Sequence, residues 1–300
     1  MSGSGPQNRD SEVFGHKIFF VISDYLSRNG FAVLRYDDRG VGTSTGIHDT
    51  CSTYDFSLDA EAAFLYLQER KEINHKQIGF IGHSEGGLIA SLVAARNKDV
   101  ASIILLAAPG IRGDSLLYLQ AQIEAKRIYG SNEKEIENVL SNRRKQDSII
   151  LHATDIKQME ISLTDFFTQI IEEQAPKTTT QEEKDVIVRQ FVEASTGKYY
   201  QYFVKFDPAL VLAQVQCSVL ALNGENDVQV PADENLNAIQ TILLEAGNTD
   251  VTINKLPKLN HLFQISQTGS VSEYALIEET FSQEVLEIIL HWLKAKYKVQ

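Results

Sequence analysis

The sequence predicts an α/β fold, in which a mostly parallel sheet carries helices on both faces. Short apolar runs rich in β-branched residues alternate with helical patterns, the connections between them are short, and one long helical stretch interrupts the alternation. Strands that alternate with helices pair in parallel, because each helix carries the chain back across a face of the sheet. With 300 residues, of which 43% are hydrophobic, the chain is long enough to bury a sizeable core.

The first elements follow from hydrophobic spacing. Ile18, Ile22 and Leu26 repeat with helical spacing before Asn29-Gly30, which predicts a helix that ends there. Acidic Asp55 favours the first turn of a helix that begins near Thr53, because the helix dipole attracts negative charge. The apolar runs of this part predict strands at residues 31–36, 78–81 and 101–107, and a helix at residues 88–95.

A glycine-rich turn after the first of these strands raises the alternative of a dinucleotide site. Its glycines fall at positions 40, 42 and 46, whereas the dinucleotide fingerprint requires G-x-G-x-x-G directly before a helix. The next helical pattern begins only near Thr53. The spacing therefore argues against nicotinamide binding.

Residues 111–205 have no β-branched run and contain four long helical patterns, at about 115–129, 132–144, 155–173 and 180–194. We interpret them as a helical cap inserted into a discontinuous core formed by residues 1–110 and 206–300. A separate helical domain that binds a partner is the alternative. The alternation resumes with strands at residues 218–222 and 251–256, and a last helix carries Val285, Ile289 and Trp292 on one face.

Ser84 lies between Gly82 and Gly86, where a predicted strand turns sharply into a predicted helix. Such a turn strains the backbone of its central residue and needs small neighbours, so the hydroxyl would project above the sheet as a nucleophile. An ordinary strand-to-helix turn is the alternative, because a lone serine between spaced glycines is a weak signal.

A serine nucleophile needs a base and a carboxylate, and residues just beyond the carboxyl ends of parallel strands converge in one crevice. Asp227 lies five residues past the strand at 218–222, and His261 lies five past the strand at 251–256. We therefore expect Ser84, Asp227 and His261 to form a catalytic triad, with Glu225 and Asp233 as weaker candidates for the acid. His83, although it is next to Ser84, is expected to point elsewhere; the other histidines lie at unsuitable positions.

Acyl transfer develops an oxyanion that needs two N–H donors, one of them from the residue after the nucleophile. That residue is Glu85. For the second donor we select the backbone N–H of Ser4, in the only early glycine-rich loop that remains as a candidate.

Five motifs can be compared with known families. They are Ser-Gly-Ser-Gly-Pro-Gln-Asn-Arg-Asp at 2–10, Arg-Tyr-Asp-Asp-Arg-Gly-Val-Gly-Thr-Ser at 35–44, Gly-His-Ser-Glu-Gly-Gly at 82–87, Leu-Asn-Gly-Glu-Asn-Asp-Val-Gln-Val-Pro at 222–231 and Leu-Asn-His-Leu-Phe at 259–263. With these motifs the sequence resembles the α/β-hydrolase superfamily over nearly its whole length, and most closely bacterial esterases and serine-aminopeptidase-like hydrolases with a helical cap. The resemblance implies Ser84, Asp227 and His261 as nucleophile, acid and base.

The chain departs from the family at its start. In the family the glycine loop follows a central strand, with further strands before it, whereas here the chain begins at the loop. We therefore expect the N-terminal strands of the family to be missing from the sheet. Three functions stay open: a serine carboxylesterase for small or medium acyl esters, a peptidase of the aminopeptidase kind, and a non-catalytic hydrolase-like binding module.

Composition limits the partners. A formal net charge of −12 argues against binding to nucleic acid, and no apolar run approaches the roughly 20 residues of a membrane helix. Cys51 and Cys217 form neither a disulfide framework nor a metal-binding spacing, so no metal or cofactor is expected. The first residues contain no apolar secretory segment, which predicts a cytoplasmic protein as written, although an exported parent is compatible with a truncated start. A small-molecule ester or peptide substrate is expected, and a homo-oligomer is compatible with the sequence.

Overall fold

The computed structural model describes residues 1–298, which divide into two compact units. One unit comprises residues 1–111 together with the chain from Asp207 onward, and the other comprises Arg112–Phe206. The strands are β1 (Glu12–Val13), β2 (His16–Lys17), β3 (Gly79–His83), β4 (Ser102–Leu106), β5 (Ser218–Gly224) and β6 (Val251–Leu256). The helices are α1 (Ile18–Arg28), α2 (Thr53–Gln68), α3 (Glu85–Arg96), α4 (Gly113–Tyr129), α5 (Glu133–His152), α6 (Ile156–Gln174), α7 (Gln181–Thr196), α8 (Lys198–Lys205), α9 (Pro208–Leu212), α10 (Ala232–Glu245) and α11 (Gln283–Tyr297).

The central sheet confirms the α/β prediction. Its four strands within residues 1–298 are parallel and lie in the order β3, β4, β5, β6. Because the strands are parallel, their carboxyl ends lie at one edge of the sheet, where Ser84 follows β3 directly and the loops after β5 and β6 begin. The sheet therefore brings together the ends of the three segments that carry the expected triad.

The two central strands, β4 and β5, are buried on both faces of the sheet. Helices α1 and α11 pack on one face, where Ile22 and Ile289 share a core with Ile104 and Leu220. On the other face, α3 packs against β3 and β4, and α10 packs against β5 and β6. Strands covered on both faces are mostly apolar, as in β4, where Ile-Ile-Leu-Leu follows Ser102.

The strand predicted at residues 31–36 is absent: Phe31–Tyr36 have no regular secondary structure. A β-strand requires hydrogen bonds to a neighbouring strand, and these residues form no ladder with the rest of the described chain. A cavity lies between this segment and β3. The hydrophobic pattern of residues 31–36 is compatible with a strand, but a strand also needs a neighbouring strand to bond to, which the pattern cannot predict.

The helical unit, residues 112–206, contains α4 to α8 and has an apolar core of its own. Leu163 and Val204 are completely buried in this core. Helix α7 begins with the predicted capping box of Thr180 and Glu183. The short helix α8 lies outside the four predicted helical patterns. Its eight residues are shorter than the window of roughly 11–18 residues over which a helical repeat is normally read, so the sequence does not predict it as an element.

Candidate active site

Ser84 occupies a strained turn between β3 and α3. Its backbone has φ 54° and ψ −121°, a conformation that residues other than glycine rarely adopt. A Cβ atom at Gly82 would lie 2.0 Å from the carbonyl oxygen of Gly86, so the turn closes only because residue 82 has no side chain. The Ser84 N–H donates to the Leu106 carbonyl at 2.8 Å, which fixes the turn to the end of β4.

His261 and Asp227 are in direct contact. The Nδ1 atom of His261 lies 2.7 Å from Oδ2 of Asp227, and both side chains are buried. Because a carboxylate only accepts hydrogen bonds, this contact places the proton of the neutral imidazole on Nδ1. In this tautomer, Nε2 has a lone pair that can accept a proton, as a general base requires.

The turn after β5 holds the Asp227 carboxylate in place. Its Oδ1 atom accepts the backbone N–H groups of Gln229 and Val230, each at 2.8 Å, so one oxygen is bound to the turn and the other to His261. Asn223, which is completely buried at the end of β5, donates from Nδ2 to the Val230 carbonyl at 2.7 Å. The carboxylate of Asp227, the expected acid, is therefore oriented by its own loop.

The loop that carries His261 is held by a buried amide network. Oδ1 of Asn260 accepts the N–H groups of Leu262 and Gln264, each at 2.9 Å, and Nδ2 of Asn260 donates to Oε1 of Gln264 at 3.0 Å. The loop also lies directly against the end of β5, where a Cβ atom at Gly224 would lie 2.2 Å from the Leu259 carbonyl oxygen. These contacts fix the backbone on both sides of His261.

His83 links the Ser84 turn to His261, the expected base. Its Nε2 atom lies 2.8 Å from the carbonyl oxygen of His261, and the two imidazole rings are 4.7 Å apart between centroids. Burial, followed by the proximity of His261, lowers the pKa of His83 to about 3, so the ring is neutral and donates from Nε2. The side chain of His83, which was expected to point away from Ser84, is therefore directed at the backbone of the expected base, His261.

The structure joins Asp227 to His261 directly and joins the Ser84 turn to His261 through His83. Within residues 1–298, the Ser84 hydroxyl makes no hydrogen bond. The three segments therefore lie at one edge of the sheet, with Asp227 and His261 paired and the Ser84 hydroxyl unengaged within the described residues.

The N-terminal loop lies on the nucleophile turn. A Cβ atom at Gly3 would lie 3.2 Å from Cβ of Ser84, and one at Gly86 would lie 2.2 Å from the Met1 carbonyl oxygen. Ser4 follows Gly3 and is exposed. The glycine-rich start of the chain is therefore in contact with the segment that carries the expected nucleophile.

Two adjacent carboxylates fasten this loop to the core. The Arg9 guanidinium and backbone N–H both donate to Asp37, and this bonding holds the pKa of the Asp37 carboxyl well below its usual range. Asp38 accepts the N–H of Gln7 at 3.0 Å, and burial raises its pKa. The motif at residues 35–44 thus has a structural role in holding residues 2–10.

Glu85, the other expected oxyanion donor, is the first residue of α3. Its side chain is buried, and its Oε1 atom accepts a hydrogen bond from Oγ1 of Thr53 at 2.7 Å, so the start of α2 is tied to the nucleophile turn. Its backbone N–H belongs to the first turn of α3, where the helix dipole favours negative charge.

Sequence reasoning missed the supporting contacts of His83, Asn260 and Thr53. The neighbours of His261 and Ser84 in the chain are residues whose polar side chains must find partners once buried, which is a weak signal for a supporting role. Thr53 offered no such signal, because only the packing of α2 against α3 brings it near Glu85.

Within the described residues, no group of three or more His, Cys, Asp or Glu side chains is placed to hold a metal ion. The same part of the chain contains no helix that is both long and apolar enough to cross a membrane.

Comparison with known proteins relates this chain to a family. Residues 5–243 match the family model for the alpha/beta hydrolase fold. The chain is also 24% identical over 298 residues to Esterase EstD of Thermotoga maritima; the match covers 97% of this chain and 60% of that protein. The chain thus spans less than two thirds of the length of this curated relative.

Solved structures show the same fold. The α/β hydrolase GrgF from Penicillium sp. sh18 has a TM-score of 0.57 and 16% identity, covering 99% of this chain and 89% of that one. The esterase Pf2001 of Pyrococcus furiosus has a TM-score of 0.54 and 16% identity, covering 98% and 78%. A proline iminopeptidase of Mycobacterium smegmatis has a TM-score of 0.54 and 14% identity, covering 99% and 88%. With the family match extending over most of its length, this chain belongs to the alpha/beta hydrolase fold family.

Proposed function

We propose that the protein is a serine hydrolase that cleaves small or medium carboxylic esters through an acyl-enzyme. The observation that carries the proposal is the contact between His261 Nδ1 and Asp227 Oδ2 at 2.7 Å, beside the strained turn of Ser84. This contact gives His261 the tautomer that can take the hydroxyl proton of a serine. The similarity to Esterase EstD favours an ester over other acyl substrates.

The proposed reaction has two halves. His261 Nε2 takes the proton of the Ser84 hydroxyl as the oxygen attacks the ester carbonyl, and the positive imidazolium faces the Asp227 carboxylate. The tetrahedral intermediate collapses when His261 returns this proton to the leaving alcohol, which leaves an acyl group on Ser84. Water, deprotonated by His261, then attacks the acyl-enzyme, and His261 returns this proton to the Ser84 oxygen as the acid is released.

The developing oxyanion is proposed to lie between the N–H groups of Glu85 and Ser4. Glu85 begins α3, whose dipole favours negative charge, and the loop that contains Ser4 contacts Ser84 through Gly3. Two donors that are fixed before the reaction stabilise the intermediate without any cost of reorganisation at the moment it forms.

We further propose that the helical unit, residues 112–206, is the helical cap that the sequence predicts. It is inserted into the core between β4 and β5 and has an apolar core of its own.

The decisive experiment compares the chain with its Ser84→Ala variant on p-nitrophenyl esters of two to eight acyl carbons and on amino-acid arylamides. We expect ester turnover in the unmodified chain, its loss in the variant, and labelling of Ser84 by a fluorophosphonate probe. Equal ester turnover by the two proteins contradicts the proposal. Turnover of arylamides without esters assigns the site to a peptidase, and a folded protein with neither activity nor labelling assigns it to a binding module.

A further inference from the structure

Tyr274 is completely buried, although its side chain ends in a polar hydroxyl. It lies on a short 3₁₀ helix, Val271–Leu276, which follows the loop that carries His261. The His16 ring donates from Nε2 to the Tyr274 carbonyl at 3.0 Å, and the Phe14 ring packs edge-on against the tyrosine ring with centroids 5.6 Å apart. The backbone and the ring of Tyr274 are therefore held by contacts that do not involve the hydroxyl.

The hydroxyl of Tyr274 is bound to the loop of the expected acid. Gln229 donates from Nε2 to the hydroxyl oxygen at 2.9 Å. The backbone N–H of the same glutamine donates to Oδ1 of Asp227 at 2.8 Å. Gln229 thus joins the Tyr274 hydroxyl to the Asp227 carboxylate.

The same hydroxyl is bound to the loop of the expected base. The backbone of His261 hydrogen-bonds to the Tyr274 oxygen, and Nδ1 of His261 lies 2.7 Å from Oδ2 of Asp227. These contacts close a circuit of hydrogen bonds that runs through four residues, namely Tyr274, Gln229, Asp227 and His261. The expected acid and base are therefore joined twice, directly through their side chains and indirectly through one tyrosine oxygen.

The surroundings of the hydroxyl favour its neutral form. Burial raises the pKa of Tyr274, and the nearby Asp227 and Glu273 carboxylates raise it further. The hydrogen bonds from Gln229 and His261 act in the opposite direction but are outweighed. A neutral phenol accepts both N–H donors without placing a second negative charge beside Asp227. The circuit can therefore orient the carboxylate without competing with it for the positive charge of the base.

We propose that Tyr274 is a positioning residue of the triad, whose hydroxyl holds the Asp227 turn and the His261 backbone so that Nδ1 and Oδ2 stay in contact. Its effect on turnover rests on the proposed function, whereas the circuit is a property of the folded chain. His261 takes up and returns a proton in each half of the proposed reaction, and its positive form depends on the contact with Asp227. Without the hydroxyl, two buried N–H donors lose their acceptor and the two loops are no longer joined at this point.

The first test removes only the hydroxyl. Tyr274→Phe should lower kcat for a short ester about tenfold, the equivalent of one lost hydrogen bond, and change KM less than about twofold, because the base acts in the chemical step. Tyr297→Phe is the matched control. Its hydroxyl donates to Ser102 Oγ at 2.6 Å, at the end of β4 opposite to the Ser84 turn. This control should lose a similar amount of stability and keep the kcat of the unmodified chain.

A second readout does not depend on turnover. The Nδ1 proton of His261, held against Asp227, should give a proton NMR signal far downfield, assigned by its absence in His261→Ala. We expect this signal in the unmodified chain and in Tyr297→Phe, and its loss or broadening by faster exchange with water in Tyr274→Phe. An unchanged signal in Tyr274→Phe overturns the proposal even if kcat falls, since the loss of turnover then has another cause.

A double variant separates positioning from stability. Tyr274→Phe combined with Gln229→Leu leaves no buried glutamine amide without an acceptor, so the urea midpoint of unfolding should recover. The kcat should stay low, because the His261 backbone still lacks the hydroxyl. Recovery of kcat together with the midpoint overturns the proposal, since Tyr274 then has only a structural role.

Gln229→Leu carries the test if Tyr274→Phe does not fold, because it keeps the tyrosine ring. It should lower kcat and broaden the His261 signal, and the absence of both changes overturns the proposal. Failure of the proposed function gives a different pattern. An unmodified chain with neither ester turnover nor fluorophosphonate labelling contradicts that function, while the NMR signal still tests the circuit.

Discussion

The His83 imidazole donates from Nε2 to the carbonyl oxygen of His261 at 2.8 Å, so the residue before the expected nucleophile supports the backbone of the expected base. The two residues are 178 positions apart in the chain. A displacement of the nucleophile turn would therefore be transmitted to the loop that carries His261.

This contact predicts that His83 is a positioning residue. His83→Leu removes the donor and should lower kcat by about tenfold, the equivalent of one lost hydrogen bond of roughly 1.4 kcal/mol, while the protein stays folded. His83→Gln keeps an N–H donor and should recover part of the loss. Steady-state kinetics with circular dichroism as the folding control measures both, and a kcat unchanged in His83→Leu contradicts the role.

The depressed pKa of His83 predicts a specific dependence of stability on pH. Its folded value of about 3 lies below the ordinary 6.5, so the unfolded chain takes up the proton first, and stability decreases as the pH falls from about 6.5 toward 3. At pH 5 this amounts to about 2 kcal/mol. Urea unfolding at pH 7 and pH 5 should show a smaller decline for His83→Gln than for the unmodified chain, and parallel declines would refute the assignment.

Asp227→Asn should nearly abolish turnover with little loss of structure. An asparagine NH₂ group can donate to His261 Nδ1 and so favour the wrong tautomer, for which a loss of about 10⁴-fold in kcat is typical of serine triads. Asp233→Asn is the matched control, because Asp233 pairs with Lys255 at the surface rather than with the base. The result would count against the triad if both variants lost activity equally.

A proline at position 4 tests the proposed oxyanion donor. Ser4→Pro removes the backbone N–H and should lower kcat by about 10²-fold to 10³-fold, whereas Ser4→Ala keeps the N–H and should be close to the unmodified chain. The experiment compares kcat and KM for one short ester. A similar loss in both variants would show that the hydroxyl, rather than the N–H, matters.

Gly82→Ala should prevent correct folding of the nucleophile turn. The added Cβ atom would lie 2.0 Å from the Gly86 carbonyl oxygen, a backbone atom that cannot yield cheaply. Gly197→Ala is the control, since its Cβ atom would approach no atom closer than 3.5 Å. We expect loss of soluble protein and of fluorophosphonate labelling for the first and no effect for the second; a soluble, labelled Gly82→Ala protein contradicts the turn geometry.

Local patterns in the sequence were sufficient to identify the elements that carry the site. The glycines around Ser84 predicted a strained turn, and β6 falls at the predicted residues 251–256. The order of Ser84, Asp227 and His261 after consecutive parts of a parallel sheet predicted that they would meet. These features depend on residue type and spacing, both of which can be read from the amino-acid sequence.

The tertiary structure alone decided which backbone groups find partners. The apolar pattern of residues 31–36 was compatible with a strand, yet strand formation depends on a hydrogen-bonded neighbour that no local pattern supplies. In the same way, the sequence places His83 beside Ser84. Only the packing of the His261 loop against the end of β5 brings the His83 side chain into contact with the backbone of the expected base. The sequence thus determined the chemistry available at the sheet edge, and long-range packing determined how that chemistry is held.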